Sequence, residues 1–108
     1  MIRILLDQCT PVGIKRALGE HEVKTAAEQG WSTLLNGELL QVAENAGFEV
    51  FITADQNLVS QQNLRRLKLA IIALNSTRWA GIEPQLDSIA IAVRNAQPGS
   101  YTLVNIPR

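Results

Sequence analysis

The stretch Leu69-Ala70-Ile71-Ile72-Ala73-Leu74 contains six consecutive apolar residues between Lys68 and Asn75. A strand with one solvent-exposed face alternates apolar and polar side chains, and this run does not alternate. Continuous apolar runs are typical of strands that are covered on both faces, as in parallel sheets flanked by helices. The sequence therefore predicts a buried strand of an α/β fold over residues 69–74.

The segments on either side of this run predict alternating strands and helices. Further strands are expected over residues 2–6, 23–26, 49–53 and 101–106, the last with the alternation of an edge strand. Helices are expected over 10–18, 36–46 and 55–62 and from 81–84 onward, with N-caps at Thr10, Asn36 and Asp55. Strand–helix alternation with short loops predicts a single domain over 1–108, a three-layer α/β/α sandwich around a mostly parallel five-stranded sheet.

The composition excludes several functional classes. The 108 residues are 46% hydrophobic, which is too apolar for a disordered chain, and ten basic residues balance ten acidic ones. This balance argues against a protein that binds polyanions over its whole surface, although a local basic patch stays compatible with it. The single Cys9 and single His21 exclude a zinc site built from several cysteines or histidines of one chain.

The apolar segments are short. None approaches the roughly 20 residues of a membrane-spanning helix, and the apolar stretch at the N-terminus is too short for a secretory signal. We therefore expect a cytoplasmic protein without membrane contact.

Three carboxylates are predicted to meet at one edge of the sheet. Ligands of open α/β sheets bind beyond the carboxyl ends of the strands, where Asp7 and Asp55 follow the first and third strands. Glu38 opens the second helix, whose N-terminus is expected at the same edge. Such oxygen ligands suit Mg²⁺ or Mn²⁺. The structural alternatives are helix capping for Asp55 and the helix dipole for Glu38. A structural role explains Asp7 less readily, because a carboxylate directly after a buried strand is costly unless it is paired or bound.

Three segments of the chain resemble short, stand-alone bacterial proteins of the PIN-like family. The segments are Leu5-Leu6-Asp7, Asn36-Gly37-Glu38-Leu39-Leu40 and Ile52-Thr53-Ala54-Asp55-Gln56-Asn57-Leu58, and their order and spacing agree with the family, as does the chain length. The resemblance implies a metal-dependent ribonuclease that hydrolyses RNA phosphodiesters, with Asp7, Glu38 and Asp55 as catalytic metal ligands. It also implies a toxin of a toxin–antitoxin pair, held by a small DNA-binding antitoxin. A homodimer is a further expectation.

Three amides stand where members of this family often carry acids. Gln8, Asn36 and Asn57 keep an oxygen ligand but remove a charge, so the bound Mg²⁺ or Mn²⁺ is expected to be weakly held. One interpretation is that these amides orient waters and outer contacts of the metal. The other is an eroded site, which would make the protein a non-catalytic interaction module.

Basic residues lie near two of the predicted site segments. Arg65, Arg66, Lys68 and Arg78 are expected to contact RNA phosphates, with a solvated helix and loop as the alternative for the first three. Trp79 is interpreted as a residue that closes the core at its edge, and base stacking is the second interpretation.

A receiver-like phosphoacceptor domain is a less favoured hypothesis. It would use Asp7, Asp55 and Ser76 or Thr77, but Gln8 replaces the second acid of the receiver pair, and Asn105 stands where that class has a lysine.

Overall fold

The five predicted strands form one sheet that is parallel throughout. The computed structural model describes residues 2–34, 36–54 and 67–107. The strands of this part are β1 (Arg3–Leu6), β2 (Glu22–Thr25), β3 (Val50–Thr53), β4 (Ala70–Leu74) and β5 (Tyr101–Val104), in the order β2-β1-β3-β4-β5. All four neighbouring pairs are parallel. The predicted α/β class with a mostly parallel five-stranded sheet is confirmed, with β5 at an edge.

The helices agree with the sequence pattern in position but differ from it in detail. They are the 3₁₀ helix η1 (Val12–Leu18), α1 (Asn36–Asn45), α2 (Trp79–Ile82), the 3₁₀ turn η2 (Glu83–Gln85) and α3 (Leu86–Asn95). The predicted N-cap at Thr10 is wrong, because Pro11 takes that position and the Thr10 hydroxyl donates to the Asp7 carbonyl instead, at 2.6 Å. The last helical segment begins at Trp79, earlier than predicted. The helix predicted over 55–62 lies outside the described residues.

The core has one apolar cluster on each face of the sheet. Ile4 and Leu6 point into one cluster together with side chains of η1 and α3, whereas Leu5 points into the other with side chains of α1. β4 is buried at every position, as the unbroken apolar run predicts. Helices on both faces of the sheet are compatible with the predicted three-layer sandwich.

The parallel connections decide which helix ends lie near the carboxyl ends of the strands. The chain leaves β2 at that edge and enters β3 at the opposite edge, so α1 begins at the edge where β2 ends. Gly47, with φ +91°, ends α1 in a conformation that other residues rarely adopt. In the described part of the chain, no helix has the length and apolar character needed to cross a membrane.

Candidate functional site

The candidate site lies at what we call the carboxyl edge, formed by the residues that directly follow β1, β3 and β4. Asp7 follows β1, which lies between β2 and β3 in the sheet. The Asp7 main-chain N–H donates to the Ile52 carbonyl at 2.9 Å and extends the β1–β3 pairing by one residue. The backbone of Asp7 is therefore fixed by the sheet, while its side chain remains partly exposed.

Hydrogen bonds orient the Asp7 carboxylate. Its Oδ2 accepts the Thr53 hydroxyl at 2.7 Å, and its Oδ1 accepts the Gln8 main-chain N–H at 2.8 Å. The Cys9 thiol lies 3.5 Å from Oδ2. A carboxylate has about four lone-pair positions, so these contacts leave acceptor capacity on the partly exposed group. The Asp7 carboxylate is therefore hydrogen-bonded and still partly accessible to solvent.

Thr53 is a residue of this site that the sequence analysis did not identify. It is the last residue of β3 and is fully buried. Side chains alternate along a strand, so Thr53 lies on the same face as Phe51, just as Asp7 lies on the same face as Leu5. The signal in the sequence was a polar residue at the end of an otherwise apolar strand, but its contact with Asp7 depends on the strand order.

Cys9 does not have the properties of a nucleophile. Desolvation raises the pKa of its thiol, although the residue as a whole is exposed, and the neighbouring Asp7 charge raises that pKa further. The thiol therefore stays protonated near neutral pH. Its thiol also contacts the Ala54 backbone, so the chain after β3 begins next to the turn formed by residues 7–10.

Glu38 lies in the first turn of α1, at the carboxyl edge, and is exposed. α1 covers the face of the sheet to which Leu5 and Phe51 belong, which is also the face of Asp7 and Thr53. Across residues 2–34, 36–54 and 67–107, however, no group of three acidic, cysteine or histidine side chains is close enough to hold a metal ion. Asp7 can supply one ligand to a metal ion. Among the described residues, no two further acidic, cysteine or histidine side chains lie close enough to it to complete a metal site.

Several predicted site residues lie outside the described residues. These are Asp55, Asn57, Arg65 and Arg66, and nothing is described of the Asn36 side chain. The last described residue before Asp55 is Ala54, which follows β3 at the carboxyl edge. The convergence of Asp7 with Asp55 therefore stays a prediction.

The two described basic candidates lie at opposite edges of the sheet. Arg78 follows β4 at the carboxyl edge, is exposed, and its main-chain N–H donates to the Ser76 hydroxyl at 3.1 Å. Lys68 precedes β4 and lies at the other edge, where its main-chain N–H donates to the Glu44 carboxylate. A strand of this length separates the two edges by roughly 15 Å. The structure therefore places Lys68 at the edge opposite Asp7, and its contact with RNA phosphates stays a prediction.

The two tryptophans pack against the protein. Trp79 is partly buried, and its ring covers Gly13 of η1 so closely that a Cβ there would lie 2.7 Å from Cζ2. Trp31 packs edge-on against Phe48, with the ring centroids 6.0 Å apart. Closure of the core by Trp79 is confirmed, and the packing against η1 leaves base stacking on that ring without support.

Comparisons of the chain with models of known protein families, with curated proteins and with solved structures find no match. The fold and the geometry around Asp7 are therefore the observations from which a function must be argued.

Proposed function

We propose that this protein is a metal-dependent ribonuclease of the PIN-like type, with Asp7 as its central metal ligand. The observation that carries the proposal is the Asp7 carboxylate itself. It stands partly exposed at the end of a central strand, and the buried Thr53 hydroxyl orients it from 2.7 Å. Carboxylates that bind metals are characteristically held by hydrogen bonds of this kind.

The proposed metal set is Asp7 with Asp55 and Glu38, and the ion is Mg²⁺ or Mn²⁺. Such an ion, when bound, supplies a water of lowered pKa and neutralises charge on a phosphodiester. Gln8, Asn36 and Asn57 are assigned outer positions around it. Few acids remain for the ion, so we expect a weak affinity.

Arg78 is the described cation best placed to hold an RNA phosphate. Arg78 lies at the same edge as Asp7. The two residues follow β4 and β1, which have β3 between them and therefore lie roughly 10 Å apart at ordinary strand spacing. Arg65 and Arg66 are further candidates under this proposal. Without a metal, the carboxylates of the site repel the RNA backbone, so RNA binding should depend on both the metal and the salt concentration.

The proposal is tested by cleavage of single-stranded RNA in Mn²⁺ or Mg²⁺. We expect Asp7→Asn to lower the cleavage rate by at least the ~10–100-fold that loss of an outer metal contact costs. Glu20→Gln is the control, because it makes the same acid-to-amide change at an exposed residue before β2, at the edge of the sheet opposite Asp7. Mn²⁺ should raise the melting temperature of the wild type and of Glu20→Gln but not that of Asp7→Asn.

Two results would contradict the ribonuclease proposal. Equal cleavage by the wild type and Asp7→Asn would identify the activity as a contaminant. Absence of both cleavage and a metal-dependent melting shift would favour the interaction module, which needs neither. A toxin–antitoxin role would depend on the same site, because the activity that an antitoxin would block is the RNA cleavage proposed for it.

The strand order favours a receiver-like phosphoacceptor as the second candidate. The order β2-β1-β3-β4-β5 is shared by the doubly wound folds of flavodoxin and the receiver domains. Against this candidate, Gln8 follows Asp7, and Asn105 is hydrogen-bonded to Asn75 at the position where a receiver needs a lysine. Incubation with a small phosphodonor and Mg²⁺, followed by intact-mass measurement, separates the two candidates, because only the receiver would retain a phosphoryl group.

A further inference from the structure

A small cavity lies at the edge of the sheet where the strands begin, opposite the edge that carries Asp7. Its volume is about 210 Å³, and it lies between the residues that follow α3 and the first residues of β3 and β4. Pockets for drug-sized ligands measure roughly 300–1,000 Å³, whereas a cavity of roughly 150 Å³ admits benzene. The volume therefore suits a ligand somewhat larger than benzene.

Most of the cavity lining is apolar. Val50, Ala70 and Val93 line it, and each of these residues is at most 2% exposed. Ala96, directly after α3, is partly buried and lines the same cavity. An apolar group that enters leaves water for this surface, which favours binding. The lining therefore selects a ligand with an apolar side chain.

The exposed part of the lining carries one charge of each sign, on Glu49 and Lys68. Within the described residues, neither charge lies at ion-pair distance from the other or from a further charged group, whereas Arg3, Lys15 and His21 each have an acidic partner. A ligand with a single charge would be attracted by one of the two residues and repelled by the other. The two charges together fit a ligand that carries both an ammonium and a carboxylate group.

Hydrogen bonds fix the backbones of both charged residues. The Glu49 N–H donates to the Arg3 carbonyl at 2.8 Å, and the Glu49 carbonyl accepts the Ala70 N–H at 2.9 Å. The Lys68 carbonyl accepts the Gly99 N–H at 3.0 Å, which holds the turn after α3 against the residues before β4. The walls of the cavity therefore form without a ligand, and less ordering opposes binding.

The side chains of both charged residues keep hydrogen-bonding capacity. The Glu49 Oε1 accepts the Arg3 main-chain N–H at 3.3 Å, which uses one of the roughly four lone-pair positions of a carboxylate. Glu49 can therefore still accept from an ammonium group. The Lys68 ammonium has donors for a carboxylate.

We propose that this cavity binds a free α-amino acid with an apolar side chain of about the size of leucine. The ammonium group of the ligand binds Glu49, its carboxylate binds Lys68, and its side chain packs on Val50, Ala70 and Val93. The cavity and Asp7 lie at opposite edges of the sheet, so the proposal does not depend on RNA cleavage.

The first test is isothermal titration with L-leucine, isocaproate, isoamylamine and glycine. Isocaproate is leucine without the ammonium group, isoamylamine is leucine without the carboxylate, and glycine lacks the apolar side chain. We expect L-leucine to bind at least about 5-fold more tightly than each of the others, because only leucine contacts both charges and the apolar lining. Absence of leucine binding at millimolar concentrations, or equally tight binding of any of the other three, would overturn the proposal.

Substitutions of the charged residues test the two ends of the ligand. Lys68→Met and Glu49→Gln should each weaken leucine binding about 5–30-fold, because each removes one charged partner. Glu49→Gln should also strengthen isocaproate binding, since the repulsion of its carboxylate is removed. Lys24→Met and Glu83→Gln are the matched controls, because neither residue lines the cavity. Controls that weaken leucine binding as much as the two site variants would contradict the assignment.

Ala96→Leu tests the apolar part of the cavity without a change of charge. Ala96 has an extended backbone conformation that leucine readily adopts, and the larger side chain would occupy part of the cavity. We expect loss of leucine binding with unchanged circular dichroism. A folded Ala96→Leu variant that binds leucine as tightly as the wild type would place the ligand elsewhere and overturn the proposal. If this variant does not fold, Lys68→Met and Glu49→Gln still decide, because both residues are exposed.

Discussion

At the scale of single residues, two threonine hydroxyls hold Asp7 in different ways. Thr53 is fully buried and donates to Oδ2 of Asp7, whereas the Thr10 hydroxyl donates to the main-chain carbonyl of the same residue. Both hydroxyls therefore hold Asp7, but only one of them acts on the carboxylate. Thr53 therefore orients the Asp7 carboxylate, whereas Thr10 stabilises the turn that follows β1.

We predict that Thr53→Val weakens Mn²⁺ binding by about 10–100-fold, because the carboxylate loses its orienting donor. The free energy of unfolding should fall by about 1 kcal/mol through loss of a buried hydrogen bond. Thr10→Val is the matched control, since it should cost similar stability and leave Mn²⁺ binding largely unchanged. Isothermal titration and urea unfolding measure the two quantities. Equal losses of Mn²⁺ affinity in both variants would assign Thr53 a structural role only.

At the scale of elements, the contact between η1 and the start of α2 depends on the absence of a side chain at Gly13. A Cβ at this position would lie 2.7 Å and 2.9 Å from Cζ2 and Cζ3 of the Trp79 ring, which is too close for an ordinary contact. Gly19, just after the same 3₁₀ helix, has an ordinary backbone conformation, and its nearest neighbour would lie 3.9 Å from an added Cβ. Gly13 and Gly19 are therefore a matched pair in which an added side chain would clash at Gly13 only.

We predict that Gly13→Ala lowers the free energy of unfolding by about 1–3 kcal/mol, because the rigid indole ring must move. Gly19→Ala should instead be neutral or raise that free energy by up to about 1 kcal/mol, because the unfolded chain loses conformational freedom. Chemical denaturation of both variants measures the difference. If Gly13→Ala is as stable as Gly19→Ala, the close packing of Trp79 on η1 is contradicted.

At the scale of the whole molecule, the sheet divides the core into two clusters that do not mix. Ile52 and Ile72 pair directly across β3 and β4 and belong to one cluster. Ile71 is adjacent to Ile72 in the sequence but belongs to the other cluster. All three side chains are essentially fully buried. Ile71 and Ile72 are therefore adjacent in sequence but pack on opposite faces of the sheet, whereas Ile52 and Ile72 pack on the same face.

We predict that each single Ile→Val change at these positions costs about 0.5–1.5 kcal/mol of unfolding free energy. The pair Ile52→Val with Ile71→Val should be additive within about 0.5 kcal/mol, because the sheet lies between the two sites. The pair Ile52→Val with Ile72→Val should deviate from additivity, since the two share neighbours. Urea unfolding of the three single and two double variants measures both couplings. Equal coupling in the two pairs would contradict the division of the core.

The sequence alone determined the α/β class, the five strands and the position of Asp7 after β1. These follow from local patterns, because an unbroken apolar run such as 69–74 has few alternatives to a strand covered on both faces. The second and last helices were located by their apolar spacing and the first by its end signals, but the loss of the Thr10 cap was not predictable. As an N-cap, its hydroxyl oxygen would accept a main-chain N–H of the helix. In the structure the hydroxyl instead donates to the Asp7 carbonyl and closes the turn there.

Only the tertiary structure decided which side chains meet. Thr53 and Asp7 are 46 residues apart, and their contact exists because β1 and β3 are parallel neighbours with a fixed register. The same geometry separates Lys68 from the carboxyl edge, since a residue before a strand and a residue after one lie at opposite ends of the sheet. The cavity that Glu49 and Lys68 both line likewise exists because β3 and β4 are neighbours in the sheet. Strand order is a property of long-range packing, which no local pattern encodes.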